Sequence, residues 1–153
     1  MGNAQIQLRS VAPLIERTDT HTDVKLTLPA RPENVSVIRH VLGAFAEALR
    51  LPDELVEDLR LAVTEACTNV VRHAYSPDLP GPVEISIRPT EEFVSVVVAD
   101  HGRGIGSSSD TTGPGLGLPL IAAIADEVEL QPVPGGGSRV AMTFARHRPG
   151  DAA

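Results

Sequence analysis

Tryptophan is absent from this chain of 153 residues, tyrosine occurs once and phenylalanine three times. The core of a domain this size must then be built from Val, Leu, Ile and Ala. Cysteine also occurs once, at Cys67, which excludes a disulfide framework and a thiolate metal cluster. Cys67 lies in the middle of a helical pattern and reads as a small buried residue. Lys25 is the only lysine, and the remaining basic residues are arginines without a basic run. With 20 acidic against 13 basic residues the net charge is −7. That balance argues against direct nucleic-acid binding and against anionic membranes. It is compatible with an anionic nucleotide held by backbone N–H groups and a cation. No signal peptide and no apolar run long enough to span a bilayer is present, so a cytoplasmic location is expected.

The stretch around which the rest is arranged is Leu61 to Tyr75, LAVTEACTNVVRHAY. Leu59, Val63, Ala66, Val70 and Ala74 form one helical stripe that should lie on a sheet. Glu65 and Asn69 stack one turn apart on another face, with Arg72 beside them. A carboxylate and a carboxamide so spaced could hold a hydrated divalent cation, accept a proton from a hydroxyl, or simply be a solvated helix face.

Before this helix, residues 1–21 lack periodicity and read as a disordered or partly ordered arm. Asp23 to Leu28 alternates as a strand, with Val24, Leu26 and Leu28 on one side. Pro32 to Arg50 reads as a helix that buries Val37, Val41, Leu42, Phe45 and Leu49, leaving Arg39, His40 and Glu47 off the stripe. The organising helix runs from about Asp53 to Tyr75. Val83 to Arg88 and Phe93 to Ala99 form a hairpin. Pro119 to Ala125 is a short helix, and Val128 to Leu130 and Arg139 to Phe144 are the last strands. The tail 146–153 should fray, leaving 22–145 as one domain. The order does not alternate strictly, which argues against a doubly wound parallel sheet. It suits an α+β fold, a two-layer sandwich with three helices on one face of a mixed sheet.

Three later clusters carry chemistry. Asp100 ends an apolar strand and is followed by Gly102 and Gly104. Its carboxylate could accept a hydrogen bond from an exocyclic amine, and the glycines would let backbone approach a flat base; a plain strand-end turn is the alternative. Gly113, Gly115 and Gly117 precede an apolar helix, a natural phosphate cradle or a flexible loop. Gly135-Gly-Gly-Ser138 reads as a hairpin turn whose Ser138 could add a hydroxyl to a phosphate. There is no Walker-type GKS or GKT and no dinucleotide fingerprint. His73, His101 and Cys67 have no zinc spacing, and no Ser/His/Asp order carries a nucleophile motif.

Taken in order, Glu65-x-x-x-Asn69, Asp100-x-Gly-x-Gly104, Gly113-x-Gly-x-Gly117 and Gly137-Ser138 resemble the GHKL ATPase superfamily. EACTNVVRHAY, ADHGRGIG and GLGLPLIAAIADEVEL resemble the anti-sigma-factor serine kinases of the RsbW and SpoIIAB type. The resemblance covers about residues 22–145 and implies a Bergerat-type sandwich that binds ATP and Mg²⁺. By position it makes Glu65 the general base and Asn69 the Mg²⁺ ligand. Asp100 would bind the adenine amine in a pocket shaped by Gly102, Gly104 and Ile105. Gly113, Gly115, Leu116 and Gly117 would cradle the phosphates, and Ser138 stands where the family often has Thr. The implied function is transcription regulation. The implied partners are a sigma factor held inactive and a small anti-sigma antagonist phosphorylated on serine. Arg39 matches a partner-contact position, and such proteins are typically homodimers. One departure is the lid between Ile105 and Gly113, seven residues without Lys or Arg. It motivates a second reading, a nucleotide-binding module that sequesters a partner with little or no turnover.

Overall fold

The computed structural model describes residues 23–103, 117–147 and 149. The elements are β1 (Val24–Pro29), α1 (Pro32–Ala48), α2 (Asp53–Asn69), a π-helical turn (Val70–Ala74), β2 (Pro82–Pro89), β3 (Phe93–Asp100), α3 (Gly117–Ile124), β4 (Glu127–Pro132) and β5 (Ser138–Ala145). The N-terminal arm and most of the C-terminal tail lie outside the described residues.

Five strands form one sheet in the order β1-β2-β3-β5-β4. The three helices cover one face, as expected of an α+β sandwich. Every neighbouring pair runs antiparallel, where a mixed sheet was expected. The reason lies in the connections. Two helices return β1 to an antiparallel neighbour, and α3 carries β3 to β4 across a gap that β5 later fills. The two parallel strands therefore never touch.

Strand alternation sets the core. Val83, Ile85 and Ile87 on β2, Val94, Val96 and Val98 on β3, and Val140, Met142 and Phe144 on β5 are buried beneath the helices. α2 packs against α1 on one side and α3 on the other. Its expected stripe, Leu59, Val63, Ala66, Val70 and Ala74, is buried throughout. Ala62 and Cys67 are buried too, because a helix flanked by two others hides more than one stripe.

The stripe of α1 differs from expectation. Ile38, Leu42, Phe45 and Ala46 are buried, while Val37 is 46% exposed. Ile38 is in phase with Leu42 one turn on, and Val37 lies about 100° away. Pro32 opens the helix as expected, with Glu33 in its first turn. The helix stops at Ala48, where Leu51 N–H reaches Ala46 O (3.0 Å) and Arg50 takes φ 52°.

Candidate functional site at the end of the central helix

Glu65 and Asn69 occupy the last turns of α2, both half-buried. Directly after Asn69 the helix widens into its π turn, a feature that often marks functional sites. The turn ends at Ala74, whose carbonyl accepts the Arg103 N–H at 2.9 Å. Gly102 lies so close that a Cβ would stand 2.0 Å from Ala74 O. The chain leaving β3 thus rests on the end of the central helix, and no side chain fits between them.

Asp100 closes β3 with 4% exposure, its Oδ1 accepting the Gly102 N–H at 2.9 Å. Ala99 is paired with Arg139, so one step further sets Asp100 beside Ser138 on the helix-facing side of the sheet. Ser138 is also 4% exposed, and these two are the only polar residues buried as a whole among the described residues. The Ser138 hydroxyl is buried without a hydrogen-bond partner, as is that of Thr64 beside Glu65. The turn before Ser138 is the expected hairpin, with Gly135, Gly136 and Gly137 all at positive φ. It is also part of the site wall: a Cβ on Gly137 would meet Asp100 O at 2.0 Å.

Gly117, the first residue of α3, meets Asn69. A Cβ there would lie 2.5 Å from Asn69 Nδ2. The structure therefore brings together Asn69 with Gly117, and Asp100 with Gly102, Gly137 and Ser138, around the end of one helix that also carries Glu65. Gly104, Ile105, Gly113, Gly115 and Leu116, with the lid, lie outside the described residues. Arg39 is exposed on α1. Arg103 turns to Ser76, its Nη2 3.4 Å from the hydroxyl.

Sequence reasoning missed Tyr75. Its hydroxyl donates to Pro82 O (2.6 Å) and accepts from the His101 N–H (2.8 Å). Its ring fills the space that a Cβ on Gly81 would need. Burial above all raises the phenol's pKa, with the charges of Asp100 and Glu84 adding to it against the His101 hydrogen bond. The available signal was its rarity, a lone tyrosine at the end of the organising helix. Cys67 is inert: burial pushes its thiol up to about 12.

A family model described as the histidine kinase-like ATPase domain matches residues 28–144. The chain belongs to that ATPase family. Within it, the chain resembles "Serine-protein kinase RsbW" of Bacillus subtilis (strain 168), 36% identical over 135 residues, which are 78% of this chain and 83% of that protein. The RsbW of Bacillus licheniformis is 35% identical over 123 residues, 71% of this chain and 77% of the relative. Two solved structures share the fold. The RsbU and RsbW domains of a Mycobacterium tuberculosis protein match with TM-score 0.67 at 21% identity, covering 83% of this chain and 33% of that one. A chain of the SiaB–SiaC complex from Pseudomonas aeruginosa matches with TM-score 0.60 at 17% identity, covering 90% of this chain and 97% of that one.

The residues of this ATPase fit the ligands its family uses. A buried carboxylate beside an orphaned hydroxyl suits a ligand carrying both donors and acceptors. No group of three or more His, Cys, Asp or Glu among the described residues could hold a metal alone. No helix among the described residues is long and apolar enough to cross a membrane.

Proposed function

We propose that the chain is an ATP-dependent protein serine kinase that also acts as an anti-sigma factor. The observation that carries this reading is the buried pair Asp100 and Ser138, walled by Gly102 and Gly137. The names of the relatives, serine-protein kinases, support the class of reaction.

Asp100 accepts a hydrogen bond from the adenine amine. Ser138, its neighbour across the strands, completes the base end of the site, rather than the phosphate end that its glycines first suggested. Gly117, at the start of α3, offers its backbone N–H to the phosphates, and Gly113 and Gly115 precede it in the sequence. Asn69 lends its carboxamide oxygen to Mg²⁺, which when bound offsets phosphate charge. Glu65, one turn earlier, takes the proton from a serine hydroxyl of a protein substrate. The serine oxygen then bonds to the γ-phosphorus, the bond to the bridging oxygen breaks, and ADP leaves.

The substrate in this reading is a small anti-sigma antagonist, and the sequestered partner is a sigma factor, which places the protein in the cytoplasm. Arg39 serves partner contact, and the working form is a homodimer. Glu65→Gln should cut phosphorylation of the cognate antagonist by at least about 100-fold, the lower end for a general base. ATP binding should persist, measured by calorimetry. Undiminished phosphorylation removes Glu65 from the mechanism. The short lid favours the second reading, a binding module. A single-turnover assay separates the two, since a pure module leaves radiolabel on the nucleotide.

A further inference from the structure

The turn that follows Asp100 is held at four points. The His101 N–H donates to the Tyr75 hydroxyl (2.8 Å), the Gly102 N–H to Asp100 Oδ1 (2.9 Å) and the Arg103 N–H to Ala74 O (2.9 Å). At the fourth, His101 Nε2 lies 3.2 Å from Glu84 Oε1. Only this last contact contains an imidazole, the side chain that changes charge between about pH 5 and 8.

Strand register brings the pair together. Val83 lies opposite Asp100 and Glu84 opposite Ala99 across β2 and β3. Glu84 and His101 are therefore diagonal neighbours on the face of the sheet away from the helices, a spacing that long side chains can span. Asp100 points the other way, toward the helices. One dipeptide thus touches both sides of the sheet, the nucleotide side through Asp100 and the outer side through His101. The turn has no slack between them. A Cβ on Gly137 would stand 2.0 Å from Asp100 O and 2.7 Å from His101 Cα, and a Cβ on Gly102 would stand 2.0 Å from Ala74 O. The chain is wedged between the β4–β5 hairpin and the π turn, so a shift of His101 is also a shift of Asp100.

The charged and titratable groups around His101 are Glu84 from β2, Asp100 before it, the Tyr75 phenol at the end of the π turn, Arg103 after it and Arg139 on β5. Both carboxylates are close enough to act on the Tyr75 phenol. The two arginines are each turned to another partner, Arg103 to Ser76 at 3.4 Å and Arg139 to Gln131 at 3.2 Å.

On the reading above, in which Asp100 receives the adenine amine, we propose that Glu84 is a positioning residue for nucleotide binding, acting through His101 on the turn that carries Asp100, and that this pair makes ATP affinity depend on pH. Protonated, His101 meets Glu84 as an ion pair and clamps the turn. Neutral, it offers an ordinary hydrogen bond in one tautomer and a lone pair against a carboxylate in the other. A proton therefore favours the arrangement that binds nucleotide. By linkage, ATP binds more tightly as pH falls from about 8 towards about 5, below which carboxylates take up protons. Both side chains are half-exposed, so the change in dissociation constant is small, about two- to fivefold.

Tyr75 is the only tyrosine and tryptophan is absent, so tyrosine fluorescence reads this turn without nucleotide. Between about pH 5 and 8 it should show one transition in the parent chain and in His73→Gln, a much smaller one in Glu84→Gln and none in His101→Gln. Calorimetry with Mg·ATP over the same range should find the parent tightening towards acid pH by the stated factor relative to His101→Gln and Glu84→Gln. Comparing chains at each pH cancels the titration of the nucleotide's own phosphate. His101→Arg, permanently charged, should bind tightly at every pH and lose that gain when combined with Glu84→Gln. Equal pH profiles for the parent and Glu84→Gln, or a flat tyrosine signal in the parent, would overturn the proposal. A tyrosine transition that needs Glu84, in a chain that binds no ATP at any pH, would keep the clamp and sink only the nucleotide reading.

Discussion

One oxygen atom, the hydroxyl of Tyr75, ties three stretches together: the end of the central helix, the loop before β2 and the turn after β3. Its raised pKa keeps it protonated, hence able to donate, throughout the physiological range. Tyr75→Phe keeps the ring against Gly81 and removes both hydrogen bonds. We expect a loss of about 1–2 kcal/mol in stability. The dissociation constant for ATP should rise several-fold, while phosphoryl transfer from bound ATP changes little. Calorimetry and single-turnover kinetics read these two effects separately. Asp100, Glu65 and Asn69 stand out in the sequence as candidates because each is a polar residue at a patterned place, a strand end or one helix turn. Tyr75 does not, because it acts on backbone atoms 7 and 26 positions away, and no local spacing records such a reach.

At the scale of elements, the decisive contact is between the π turn and the backbone after β3. Gly102→Ala places a methyl 2.0 Å from Ala74 O, against backbone that cannot rotate aside. Overpacking of this kind costs about 1–3 kcal/mol, or roughly 2–12 °C in Tm for a chain this size. ATP affinity should fall with it, since the displaced turn holds Asp100; a thermal melt and a binding titration check both. The strands and the stripe of α2 were visible because alternation and helical period are written in apolar residues. Three features were not. The π turn keeps an ordinary helical composition, so nothing in its residues separates it from a continuing α-helix. The phase of α1 was ambiguous because Val37 and Ile38 are adjacent and equally apolar. Strand direction depends on which strand fills the gap between β3 and β4, a property of the assembled sheet.

For the molecule as a whole, stability should depend on alkaline pH through its one thiol. The Cys67 thiol, ordinarily near 9.0, is raised by burial to about 12. A proton bound more tightly in the folded state stabilises it, so the contribution is complete below pH 9 and is lost as pH rises towards 12. Urea midpoints should therefore fall between pH 8 and 10.5 more steeply for the parent chain than for Cys67→Ala. Native Cys67 should also resist alkylation until denaturant is added. The strand order carries a different consequence. β5 is the last of the described strands yet sits between β3 and β4, and among those strands it is the only neighbour β4 has. A nascent chain that has reached Gly137 would have β3 with a bare edge, β4 unattached and nothing opposite Asp100. Closure of the sheet therefore waits on β5, which inserts between two strands made before it.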